Sequence, residues 1–219
     1  LYREWFVHLR FPGHEHVKAI DGVPEGWEMR KLGEISNELR VAVKPENISS
    51  GTPYIGLEHM PRRSITLSDW GRSDDIAGQK FAYEEGDILF GKIRPYFHKV
   101  GFTLTDGITS SDAIVLRPVE QGLRYFLLLL VSSDQFVALV SQTVKEGSKM
   151  PRADWKHMKR QPFAIPPEGL LGELNQVCEP IIDQLKSLAS ANAKLRQARD
   201  LLLPRLMSGQ IQLNDMSYA

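Results

Sequence analysis

PEGLLGELNQVCEPIIDQLKSLASANAKLRQARDLLLPRLMS, residues 167–208, is the stretch that decides how this chain is read. Taken in alternating steps of four and three, it gives Leu174, Cys178, Ile181, Leu185, Leu188, Asn192, Leu195, Arg199, Leu202 and Leu206. Every position but Asn192 and Arg199 is apolar, and the step never slips. That is a heptad seam, which needs a partner helix to cover it. At about 1.5 Å per residue the helix would be on the order of 60 Å long, more than a small domain buries on its own surface. The alternative is a core helix of a bundle. The polar face stays polar throughout, however, and a single polar seam residue such as Asn192 is a register device. A projecting coiled-coil arm is therefore expected, with Pro180 kinking it or marking its effective start and Pro204 bending its end.

Working outward, 219 residues allow one good-sized core plus an appendage. Lys and Arg number 27, as do Asp and Glu, so no bulk field attracts nucleic acid and any such binding needs a local patch. The single cysteine, Cys178, excludes an internal disulfide framework and suits a reducing cytosol. The longest apolar run, residues 125–131, is too short to span a bilayer, and no signal-peptide pattern opens the chain. The chain starts on Leu1, as though in mid-helix, which suggests a piece of something longer.

Four regions are expected. Residues 1–23 hold a short helix with Tyr2, Trp5, Phe6 and Leu9 on one face, ended by Phe11-Pro12-Gly13, and a polar linker. The aromatic face is expected to lie against the long helix. Residues 24–166 form a mixed domain with candidate strands at 28–32, 54–57, 64–67, 87–90, 98–102, 113–116 and 160–165. One buried helix is expected over 123–144, and a short helix is expected to start at Pro151. Residues 167–208 are the coiled-coil helix, and 209–219 a tail. The fold class is α+β.

The most informative chemistry lies in residues 88–105, which contain no acidic residue. Lys92, Arg94, His98 and Lys99 alternate with Phe90, Tyr96, Phe97 and Phe102 about a Gly91–Pro95 turn. Cations supply donors to phosphates and base edges, and planar rings stack. The bland alternative is a hairpin with core aromatics and solvated charges. A second basic stretch, 145–160, contains Lys149 and Arg152, with a Gly147-Ser148 loop suited to a phosphate. Arg62-Arg63 is a third basic point. Ser110-Ser111-Asp112 has no histidine in defined relation to it and reads as a turn. His14-Glu15-His16 is a very weak metal signal. No glycine-rich nucleotide loop, Walker lysine or zinc-protease pair is present, so no cofactor is expected.

Several segments, in order, resemble the specificity subunit of type I restriction-modification enzymes. They are Pro24-Glu25-Gly26-Trp27-Glu28 with Lys31-Leu32-Gly33-Glu34-Ile35, then Tyr54-Ile55-Gly56-Leu57-Glu58, and Gly86-Asp87-Ile88-Leu89-Phe90-Gly91-Lys92-Ile93-Arg94-Pro95-Tyr96. Thr109-Ser110-Ser111-Asp112, Met150-Pro151-Arg152-Ala153-Asp154-Trp155 and the tail from Arg199 to Gly209 continue the pattern. Tyr2-Arg3-Glu4-Trp5-Phe6 is similar to the exit of the family's central spacer helix.

The resemblance implies a non-catalytic, prokaryotic cytoplasmic protein that reads one half of a split double-stranded DNA target. It further implies docking of methyltransferase subunits and, through them, the restriction subunit. This chain departs from the pattern in carrying one recognition domain and one complete spacer helix, as a C-terminal half would. The residues expected on DNA are Arg62, Arg63, Lys92, Arg94, Tyr96, His98, Lys99, Lys149 and Arg152. Those expected at the helix interface are Leu174, Cys178, Ile181, Leu185, Leu188, Asn192, Leu195, Leu202 and Leu206. An exposed seam also predicts a homodimer by antiparallel pairing of residues 174–206, with the 1–9 helix alongside. Two other classes compete. One is a coiled-coil interaction module with a non-DNA ligand. The other is a free-standing methyltransferase or nuclease, which lacks the cofactor loop or clustered carboxylates it would need.

Overall fold

Short runs of β-branched and aromatic residues, punctuated by glycine and proline turns, build two five-stranded sheets. The structure is a computed structural model and describes residues 1–73, 78–142 and 150–211. One sheet runs Ser36–Leu39, Ala113–Pro118, Ile88–Gly91, Val100–Thr103, Thr66–Leu67. The other runs Ala42–Val43, Lys80–Tyr83, Gly107–Ser110, Pro53–Ile55, Gly71–Arg72. Pairing is antiparallel except where Val100–Thr103 meets Thr66–Leu67 and Gly107–Ser110 meets Pro53–Ile55.

The two sheets share a core of Ile55, Met60, Leu67, Phe81, Tyr83, Leu89 and Val115. Side chains alternate along a strand, so Leu89 faces this core while Phe90 faces away, onto Phe136 at 5.9 Å. With both faces covered, Ile88, Leu89 and Phe90 are all buried, as their unbroken apolar run requires. At the end of the same strand Asp87 is buried. It accepts two bonds from the Arg117 guanidinium, at 2.7 and 2.8 Å, and one from the Glu84 N–H.

Several expectations change. Residues 123–142 of the expected helix are two helices, Arg124–Val131 and Asp134–Gln142, bent by 67°, and residues 143 and 144 lie outside the described residues. Two serines make the break. The Ser132 hydroxyl donates to the Leu128 carbonyl, and the Ser133 hydroxyl accepts from the Phe136 N–H, ending one helix and capping the next. The short helix is Trp155–Met158 and does not include Pro151. Asp154 caps it through the Lys156 N–H, while Arg152 bridges Ile93 in extended conformation. The polar linker contains a hairpin, Ala19–Ile20 with Val23–Pro24, turned by Asp21 and Gly22, both at positive φ. Among the described residues, seven short strands lie outside the expected set, including Lys80–Tyr83 and Gly107–Ser110.

The N-terminal segment winds as a π-helical turn, Arg3–Val7. Trp5, Phe6 and Leu9 pack on Phe11, Trp27 and Leu170, and Phe6 meets Phe126 edge-on at 5.2 Å. Leu170 belongs to the first turns of the long helix, so that helix covers only part of the aromatic face. Trp27 and Phe126 of the sheet domain cover much of the rest.

Contacts divide the chain into Leu1–Glu179 and a second unit from Pro180 onward. The long helix, Glu168–Met207, begins in the first unit and includes both Pro180 and Pro204, neither of which has an N–H to donate. Leu174 and Cys178, read as the start of the seam, are buried in the first unit and are closed to a partner helix. In the second unit Ile181, Leu188, Leu195 and Leu202, spaced by sevens, are 47–66% exposed. Asn192 and Leu206 are exposed beside them, and Leu185 is partly covered. No single helix among the described residues is long and apolar enough to cross a membrane.

Candidate nucleic-acid interface

Residues 91–99 join two strands of the first sheet and form a finger around a single-turn helix, Pro95–Phe97. The chain closes on itself at its base, where the Gly91 N–H donates to the Lys99 carbonyl at 2.8 Å. Glycine is needed there, because a Cβ at 91 would sit 3.0 Å from Leu57 and 3.2 Å from the Lys99 backbone oxygen. Arg94 and His98 adopt left-handed backbone angles (φ 49° and 54°), as does Arg63 (φ 55°), whose N–H donates to the His98 carbonyl. Each such residue costs about 1–3 kcal/mol and persists only where its surroundings over-determine it.

Those surroundings come from four other segments. The Lys92 N–H donates to the Asp112 carbonyl, the Ala153 N–H to the Lys92 carbonyl, and the Arg94 N–H to the Pro151 carbonyl, at 2.7–2.8 Å. The Lys99 ammonium donates to the Leu57 carbonyl. The Lys92 ammonium donates to the Ser111 carbonyl at 2.9 Å, and its burial lowers its pKa from the usual lysine value. His98 is buried, with Nε2 2.8 Å from the Ser132 carbonyl and Nδ1 3.4 Å from the Asp134 carboxylate.

The basic residues expected on DNA thus separate into three kinds. Lys92, His98 and Lys99 each spend one side-chain nitrogen contact on a backbone carbonyl of the domain, at Ser111, Ser132 and Leu57. Arg63 and Arg152 lie on the surface but carry carboxylate partners, Asp134 at 2.7 Å and Asp112 at 3.1 Å. Arg62 and Arg94 are exposed and have no ion pair among the described residues. Both lean on one ring, Phe97, at 4.0 and 5.8 Å from its centroid. Tyr96 stands beside it, edge-on at 5.0 Å, with over half its surface in solvent. Lys149 lies outside the described residues.

Two guanidiniums and a phenol around an aromatic post form a compact donor surface. Arginine offers a planar fork to a phosphate or to the O6/N7 edge of guanine, and tyrosine adds a stacking face. Sequence reasoning singled out Arg62, Arg94 and Tyr96 but did not pair Asp134 with Arg63 or Asp112 with Arg152, and those pairs decide whether the neighbouring arginines are free. No local signal announces them, since Asp134 lies 71 residues from Arg63.

The family model for the type I restriction modification DNA specificity domain matches residues 24–196. The MjaIX specificity subunit of a type I restriction enzyme from Methanocaldococcus jannaschii is 22% identical over 235 residues, covering 99% of this chain and 52% of that protein. The EcoDI specificity subunit of Escherichia coli is 20% identical, covering 89% of this chain and 44% of its own length. Among solved structures, the HsdS subunit from Thermoanaerobacter tengcongensis superposes with a TM-score of 0.60 at 17% identity, over 90% of this chain and 52% of that one. A chain from a structure describing assembly and conformational transition of the type I R-M system gives 0.61, also at 17% identity and with the same coverage. The chain spans about half the length of the relatives it matches. With the motif order, the two-sheet domain and the long helix in agreement with that match, the chain belongs to the type I restriction-modification DNA specificity family.

Proposed function

We propose that this chain is a non-catalytic DNA-reading module of a type I restriction-modification assembly, with residues 91–99 as the recognition finger for one half of a bipartite duplex target. The observation that carries the reading is the Arg62–Phe97–Arg94 cluster with exposed Tyr96, which holds cationic forks on the surface with no carboxylate partner among the described residues. Base contacts are assigned to Arg94 and Tyr96, and phosphate contacts to Arg62. Arg63 and Arg152 join only by giving up their aspartates. A balance of 27 basic and 27 acidic residues implies modest affinity for the chain alone, with partners adding electrostatic grip.

In this reading the exposed heptad positions from Ile181 to Leu206 dock methyltransferase subunits and, through them, the restriction subunit. In their absence the same positions pair with a second copy, placing two readers about a twofold axis. The chain works in a prokaryotic cytoplasm, beside its DNA. Salt-titrated binding to a duplex library tests the function. Retention that weakens with salt and enriches particular base pairs is expected. No retention on any duplex, with methyltransferase subunits also present, refutes it.

A further inference from the structure

One acidic side chain, beside the Ser132 carbonyl, faces the far limb of the finger. We propose that Asp134 is a positioning residue for recognition: it grips Arg63 and His98 and so sets the direction in which Arg62, Arg94 and Tyr96 present themselves. The inference rests on the DNA-reading role above.

Both contacts converge on a single atom, Asp134 Oδ1, 2.7 Å from Arg63 Nη1 and 3.4 Å from His98 Nδ1. A carbonyl only accepts, so His98 Nε2 carries a proton toward Ser132. The imidazole is thereby fastened to Ser132, and it donates to Asp134 as well when Nδ1 also carries a proton. Arg63 and His98 are themselves joined through backbone and both hold left-handed angles. The Pro95–Phe97 turn packs on the helix Asp134–Gln142, of which Asp134 is the first residue. The other anchors, at Leu57, Ser111, Asp112 and Pro151, fasten the base of the finger or its first limb. The limb from Pro95 to His98 depends on Asp134 and Ser132.

Charge counting and positioning give opposite signs. A carboxylate beside DNA-binding arginines repels a phosphate backbone, so its removal should raise affinity for every duplex. If Asp134 aims the finger, its removal should instead erase discrimination between sequences while leaving non-specific affinity unchanged or higher. The side chain is exposed, and the helix keeps its cap through Ser133, so the substitution is compatible with folding.

The test uses the full 219-residue chain, wild type and Asp134→Ala, in two measurements. Without DNA, the amides of Phe97 and His98, bonded to the Arg94 and Pro95 carbonyls, should exchange about tenfold faster in the variant. On a randomised duplex library, enrichment of preferred base pairs should fall by about tenfold while retention on one arbitrary duplex holds or rises. Asp134→Asn, which still accepts from Arg63, should recover part of both. Wild-type exchange in Asp134→Ala, or tighter binding with unchanged enrichment, overturns the proposal. If wild type binds no duplex, the DNA-reading role falls, and exchange alone still reports whether Asp134 holds the finger.

Discussion

Replacing Arg62 and Arg94 by alanine, singly and together, puts a number on the proposed interface. Each guanidinium is exposed and lacks a carboxylate partner among the described residues, so each is free to neutralise one phosphate and release its counterions. Every such contact contributes about −0.9 to the slope of log K against log salt on duplex DNA. Between 50 and 200 mM salt that is roughly a 3.5-fold loss per contact, and about twelvefold for two. Arg62→Ala should therefore flatten the slope by about 0.9 on all sequences alike. Arg94→Ala should do less to the slope if its fork meets a guanine edge. It should then cost about 1–3 kcal/mol at one base pair and little elsewhere.

Because both arginines lean on Phe97, the double variant should lose less than the sum of the singles. His98 and Lys99, each engaged with an internal carbonyl, should alter stability when replaced but leave the slope where it was. Fluorescence anisotropy on a labelled duplex at four salt concentrations measures all of this. A slope unchanged in the Arg62/Arg94 double variant, or flattened as much by Lys99→Ala, refutes the assignment.

Other outcomes follow from the same contacts. Asp87→Ala removes a buried carboxylate carrying three hydrogen bonds and should cost about 2–4 kcal/mol in urea unfolding; the remaining solvent around Arg117 keeps it below the top of the range for buried pairs. Leu188→Glu with Leu195→Glu should give a monomer by light scattering without changing duplex enrichment per chain, whereas Asn192→Leu should tighten self-association and yield mixed oligomers. A single species of wild-type size in the Asn192 variant would contradict the register role. Burial raises the Cys178 thiol above its usual pKa, so iodoacetamide should label it more slowly in the folded chain than in urea. A folded pKa above the unfolded one means its contribution to stability is intact below about pH 8.5 and declines as pH rises toward the folded value. Equal labelling rates in the two states would show the thiol to be open.

Local order along the chain determined a good deal. The apolar runs at 88–90 and 113–116 sit where their strands lie, the heptad period from 181 onward matches an exposed row on one helix, and the motif order announced the family. These properties are legible because periodicity and turn chemistry act between near neighbours. Availability is different. Lys92, Arg94, His98 and Lys99 look alike in sequence, yet of the four Arg94 is the exposed one, without an ion pair among the described residues. Lys99 is taken by Leu57, 42 residues away, and His98 by Ser132, 34 residues away. Likewise Leu174 and Ile181 obey one period but part company in burial, since a heptad says which face is apolar and not what covers it. Residue type and spacing belong to the chain; desolvation and charge neutralisation depend on what distant segments bring alongside, and only the folded arrangement decides that.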